Sequence, residues 1–134
     1  MVKGTITNDK LKEMMLERTF MTSTTLSRAS QFKIGTGQVL LDEGSTDLSY
    51  PVYFTGTDSY KDFTSGFPTL STSATPEVTI NCRIGASQGT GNDINTIGIF
   101  NTDSSPTLLI QMNHTAESKS ATDEFVYIIR YRVI

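Results

Sequence analysis

The chain has one cysteine and one histidine in 134 residues, and these two scarcities exclude much. With Cys82 alone no intrachain disulfide is possible, so oxidative stapling has no part in the fold. His114 and Cys82 stand far apart in the sequence, and a transition-metal centre built on imidazole and thiolate lacks ligands. Basic residues are also few: 11 Lys and Arg against 14 Asp and Glu, for a net charge of -3. Phosphate binding needs clustered Lys and Arg, so nucleic acid is not an expected partner. No run approaches the roughly 18 apolar residues that span a bilayer, so no membrane partner is expected. The segment Met1-Val2-Lys3-Gly4-Thr5 lacks an apolar signal region. The expectation is synthesis in the cytoplasm without export by a signal peptide.

What is present favours strands. The length suits one domain with a core of its own. Charged residues are 19% of the chain, while Ser and Thr together supply about a quarter, a balance that fits strands and exposed loops better than helices. Residues 1–28 differ from the rest. Asn8 reads as an N-cap, with Asp9 in the first turn near the positive end of the helix dipole. Leu11, Met14 and Met15 follow at i, i+3 and i+4, with Lys10, Lys12, Glu13 and Glu17 on the other face. This predicts one amphipathic helix of about three turns, ending near Arg18 before the poor helix formers 22–25. So short a helix is marginal alone and must dock on its own domain or a neighbour.

After residue 29 the hydrophobic period becomes two. Phe32 and Ile34 alternate with Gln31 and Lys33, and residues 51–54 read as a strand that the proline demotes at its start. The clearest strand is 77–84, with Val78, Ile80, Cys82 and Ile84 toward the core and Glu77, Thr79, Asn81 and Arg83 toward solvent. Cys82 there is a buried, inert thiol. Residues 94–100, 107–113 and 124–134 give three more strands. The last has one aromatic and apolar face, Phe125, Tyr127, Ile129, Tyr131 and Val133. Its other face is mixed, Val126, Ile128, Arg130, Arg132 and Ile134. That pattern belongs to an antiparallel sheet packed on one side. Turns are expected at 42–45, 85–93 and 103–106. Residues 55–75 mix polar residues with Tyr60, Phe63, Phe67 and Leu70, as an excursion folding back on the sheet or a contact surface. The expected fold is mainly β: an antiparallel β-sandwich or a Greek-key, jelly-roll-like barrel, with one short N-terminal amphipathic helix. The expected division is an N-terminal helix or arm over 1–28 and a β domain over 29–134.

Nothing in the chain forms a catalytic signature. His114 has no Gly-x-Ser-x-Gly elbow beside it and reads as a half-exposed strand-end residue. The glycine-rich stretch 85–91 is followed by Asn92-Asp93 where a phosphate loop needs Lys and a hydroxyl residue, so it reads as a hairpin or crossover loop. Asp42, Glu43 and Asp47 lack the spacing of a defined calcium loop. Asn113-His114-Thr115 matches a glycosylation sequon with no secretion signal to support its use. No paired-carboxylate motif suggests glycoside cleavage. Tyr50, Tyr53, Tyr60 and Phe63 could stack on sugar rings or pack as a subunit contact. No metal and no cofactor are expected.

Two short signatures carry more. Phe32-Lys33-Ile34-Gly35-Thr36-Gly37 and Ile94-Asn95-Thr96-Ile97-Gly98-Ile99-Phe100 each read as a strand with a glycine placed for close packing or a turn. With Asp47-Leu48, Leu108-Leu109, Lys119-Ser120 and the closing strand, their order resembles that of small tail and virion proteins of tailed bacteriophages. The sequence departs from that pattern at Thr96, where the family tends to have glutamate, at Ile99 for leucine, and in lacking a proline between Gly37 and Asp47. The resemblance implies an assembly role in a tail, baseplate or fibre attachment, in trimers or rings with itself and with other virion proteins. The residues add a helix and a long terminal strand whose edges a subunit could donate. Expected assembly contacts are Leu11, Met14 and Met15 on the helix and Tyr60, Phe63 and Phe67 in the following excursion. The alternatives are a cement protein on the capsid surface, gripping neighbours through the N-terminal arm, and a module binding host-surface glycan through Tyr60 and Phe63.

Overall fold

The structure, a computed structural model, describes residues 4–37 and 41–132. It is mainly β, as the alternating pattern predicts, with two antiparallel sheets and one short helix. The strands are β1 (Gly4–Thr7), β2 (Ala29–Gly35), β3 (Pro51–Val52), β4 (Lys61–Asp62), β5 (Thr69–Ser71), β6 (Glu77–Ile84), β7 (Asp93–Asn101), β8 (Leu108–Ser118) and β9 (Phe125–Arg132); helix α1 is Asp9–Phe20. One sheet runs β1-β8-β7-β2-β3, with β4 also on β2, and the other runs β5-β6-β9. Among the described residues no helix is long and apolar enough to cross a membrane.

The two sheets meet through the residues the period-2 pattern points inward. Phe32 and Ile34 of β2, Ile97 and Ile99 of β7, and Ile80, Cys82 and Ile84 of β6 all lie in one buried cluster. Full burial of one such side chain contributes about 1.5–3 kcal/mol, which sets the register of each ladder. β6 pairs with β9 over eight consecutive residues, from Glu77↔Arg132 to Ile84↔Phe125, with no shift. On β9 the aromatic face points inward and the mixed face outward, as expected from the sequence; Val133 and Ile134 lie outside the described residues.

β7 is buried on both faces. Ile97 and Ile99 face the other sheet, and a second layer from the 41–60 segment covers the opposite side, where Leu48 is 4% exposed. The signature glycines make room for that layer. A Cβ on Gly35 would stand 2.7 Å from Thr96 Cγ2 and 2.9 Å from the Tyr50 carbonyl oxygen. A Cβ on Gly98 would stand 2.9 Å from Leu108 Cδ1 and Phe100 Cε1. Both glycines are therefore close-packing positions.

Residues 4–28 are tied into the sandwich. β1 pairs with β8 from Gly4↔Asn113 to Thr7↔Ile110, a strand the sequence pattern did not indicate. Asn8 does precede the helix, but its side chain does not cap it; Nδ2 donates instead to the Ser45 carbonyl at 2.6 Å. Met14 of α1 is 6% exposed and belongs to the core. Two of the three crossovers between the sheets, 85–92 and 119–124, are laced together: Ser87 N donates to Ala121 O and Gly91 N to Lys119 O. Lys119 is itself buried, its ammonium donating to the Asp123 carbonyl at 2.6 Å.

Candidate assembly surface

Among the described residues, three open apolar features stand out in addition to the exposed rings of Tyr50 and Tyr53. The first is β9. It hydrogen-bonds to β6 on one side, and among the described residues no strand pairs with its other side. On its outer face Val126 is 51% and Ile128 55% exposed. Charges bracket these two. Arg132 Nε donates to Glu77 Oε2 at 2.6 Å, and Arg130 lies 3.9 Å from the same carboxylate. At the other end Arg83 Nη2 donates to Glu124 Oε1 at 2.6 Å. On the inner face the Tyr127 hydroxyl meets His114 Nε2 at 2.7 Å, and burial raises its pKa.

The second feature is an apolar groove of about 430 Å3 between α1 and the β5-β6-β9 sheet, lined chiefly by Leu11, Met15, Leu70, Val78, Ile110 and Tyr131. The third is the outer face of α1, where Leu16 and Phe20 lie four residues apart, and Met21 follows; Phe20 is 76% exposed.

The six residues expected as assembly contacts do not form one surface. Leu11 and Met15 do lie together on the wall of the groove. Met14 and Phe63 are core residues, 6% and 8% exposed, and present nothing to a partner. Phe67 is partly buried against the same core. Tyr60 is half-buried in a T-shaped contact with Phe100, ring centroids 5.3 Å apart, and its face carries the Lys33 ammonium at 4.5 Å. Apolar spacing identifies which side chains seek cover, but its own core satisfies these as well as a neighbour would. Leu16 and Phe20 were missed, and Leu70, placed in the 55–75 excursion, was left out of the expected contacts although it is 69% exposed. The signal for Val126 and Ile128 was in the sequence: two β-branched residues beside Arg130 and Arg132 on the mixed face of the last strand.

The Lys33 site was not legible at all. Alternation puts Lys33 on the outer face of β2, yet it is 5% exposed. Its ammonium donates to Asp47 Oδ1 and Oδ2 at 2.9 and 3.1 Å, between the rings of Tyr60 and Phe100. The carboxylates weighed for calcium go to separate partners. Asp47 takes Lys33, Glu43 takes Lys12 at 3.0 Å, and Asp42 accepts from Gly44 N at 2.8 Å. Among the described residues no group of three His, Cys, Asp or Glu side chains could hold a metal ion. Cys82 is fully buried, and desolvation pushes its thiol pKa up to about 12, which keeps it protonated and unreactive at neutral pH.

Comparison with protein-family models, with curated proteins and with solved structures finds no match to this chain.

Proposed function

We propose that this chain is a non-enzymatic structural subunit of a tailed-phage virion, in the tail, baseplate or fibre attachment, that assembles through contacts with copies of itself and with other virion proteins. One observation carries the reading: an eight-residue strand with an open edge and two apolar side chains more than half exposed. Soluble monomers usually blunt such an edge, because its unpaired backbone groups recruit other strands. The order of the quoted motifs supports the virion context, and most of those residues have packing roles: Gly35 and Gly98 admit the covering layer, Asp47 neutralises Lys33, Leu48 fills the outer layer and Lys119 staples a crossover. A glycan site on Phe63 is not favoured, since its ring is in the core.

Immunogold electron microscopy of purified virions with an antibody to the chain tests the proposal. Label at the tail or its tip is the expected result. Label over the whole head would make the chain a capsid cement, and no label on any particle would overturn the virion reading.

A further inference from the structure

The geometry points to a two-fold homodimer in which β9 pairs antiparallel with β9 of a second copy, joining two three-stranded sheets into one of six, with Ile128 opposite Ile128. This deepens the assembly reading by naming a partner and an edge.

The edge is built for pairing. Phe125-Val126-Tyr127-Ile128-Ile129-Arg130-Tyr131-Arg132 contains no glycine and no proline, and its ladder to β6 has no bulge. Its first five residues are all aromatic or β-branched and carry no charge. The usual protections of an edge are a proline, a bulge, charged side chains or a very short strand. β9 has no proline, bulge or lysine, and its only charges, Arg130 and Arg132, stand at its C-terminal end.

Self-complementarity selects the register. Opposed residues in an antiparallel pair project to the same face, so inner residues must oppose inner residues. That leaves registers in which the opposed residue numbers have an even sum. Pairing Ile128 with Ile128 sets Val126 against Arg130 and Glu124 against Arg132 on the outer face. On the inner face it sets Phe125 against Tyr131 and Tyr127 against Ile129. The described strand then overlaps its copy from Phe125 to Tyr131. Centring on Ile129 keeps an equal overlap but sets Val126 against Arg132 and Ile128 against Arg130, with no carboxylate opposite either arginine. Centring on Tyr127 sets Val126 against Ile128 and Glu124 against Arg130, but it shortens the overlap to five residues and leaves Arg132 opposite Thr122. The Ile128 register alone combines long overlap, an apolar centre and an opposite-charge pair at each end. Within each copy Glu124 already holds Arg83 and Arg132 already holds Glu77. The dimer links them into a row of alternating sign, Arg83, Glu124, then Arg132 and Glu77 of the second copy, at both ends of the joint.

The chain supplies its own test, because its single cysteine is buried. Opposed residues in an antiparallel pair lie within disulfide reach. Ile128→Cys should form a disulfide-linked dimer under mild oxidation, seen on a non-reducing gel. Val126→Cys alone and Arg130→Cys alone should stay mostly uncrosslinked, and a mixture of the two should give the cross-linked pair. Light scattering of the wild-type chain should report twice the 14.7 kDa protomer mass. Ile128→Lys, at an exposed position, should return a monomer with an unchanged circular-dichroism spectrum. A monomeric wild type, an uncrosslinked Ile128→Cys, or Val126→Cys crosslinking as fast as Ile128→Cys would overturn the proposal. These readouts concern the chain in solution. A dimer from a chain absent from virions would sink the virion reading and leave the edge pairing standing; a monomer found in virions would do the reverse.

Discussion

Removing the counter-ion of Lys33 should cost more than removing Lys33 itself. The ammonium sits on a side chain 6% exposed, while its partner Asp47 is 52% exposed. Breaking a buried pair by deleting one charge costs about 3–5 kcal/mol, because the other charge stays desolvated. Water reaches the Asp47 side and trims this, so Asp47→Ala is expected to lose about 2–3 kcal/mol. Lys33→Met removes the cation and leaves an unbranched apolar chain between Tyr60 and Phe100, for a change within about 1 kcal/mol. Asp47 Oδ1 also accepts from Leu48 N at 2.8 Å, a bond lost on Asp47→Ala in either background and so cancelling in a double-mutant cycle. The coupling left over should be about 1.5–2 kcal/mol, with the double variant more stable than Asp47→Ala alone. Urea unfolding followed by circular dichroism reads all four chains. An Asp47→Ala loss below about 0.5 kcal/mol, or one unchanged in the Lys33→Met background, would show that Lys33 does not depend on Asp47 for its burial.

Three further outcomes are expected. Gly35→Ala should cost about 1–3 kcal/mol and more than Gly98→Ala, because the new methyl meets the Tyr50 carbonyl oxygen at Gly35 but only side-chain ends at Gly98; thermal unfolding that ranks them the other way contradicts the packing account. Cys82 should resist thiol reagents at pH 8 until the chain unfolds. Its pKa is raised from the ordinary thiol range to about 12 in the folded state, so stability should be full below about pH 8.5 and fall as pH climbs toward 12. Cys82→Ala should flatten that alkaline decline, and an identical slope would show the thiol plays no part. Met14→Ala should cost about 2–4 kcal/mol, whereas Phe20→Ser should change monomer stability by less than about 0.5 kcal/mol; equal effects in denaturant titrations would contradict the placement of α1.

Much of the fold was legible, and the reasons for the gaps are physical. β6 was readable in full because each inward residue is apolar and each outward one polar. β8 extends to Ser118, five residues beyond its apolar stretch, since Asp93↔Ser118 and Ile94↔Glu117 are backbone pairings that leave no hydrophobic period. β1, β4 and β5 are two to four residues long and become strands only because a neighbouring strand offers its edge. The burial of Lys33 depends on the 41–60 segment closing over the outer face of β2 and β7, a tertiary event with no local signature. The helix was found from its 3.6 period, but a period does not say whose core an apolar face will join. For the assembly surface, the informative residues were those that departed from strict alternation, Val126 and Ile128 on the mixed outer face of β9.

The decisive measurement is quantitative mass spectrometry of purified virions. A tail, baseplate or fibre-attachment component should be present at a fixed stoichiometry of a few dozen copies or fewer per particle. Hundreds of copies would move the chain to the capsid surface, and its absence from the particle would rule out a virion role.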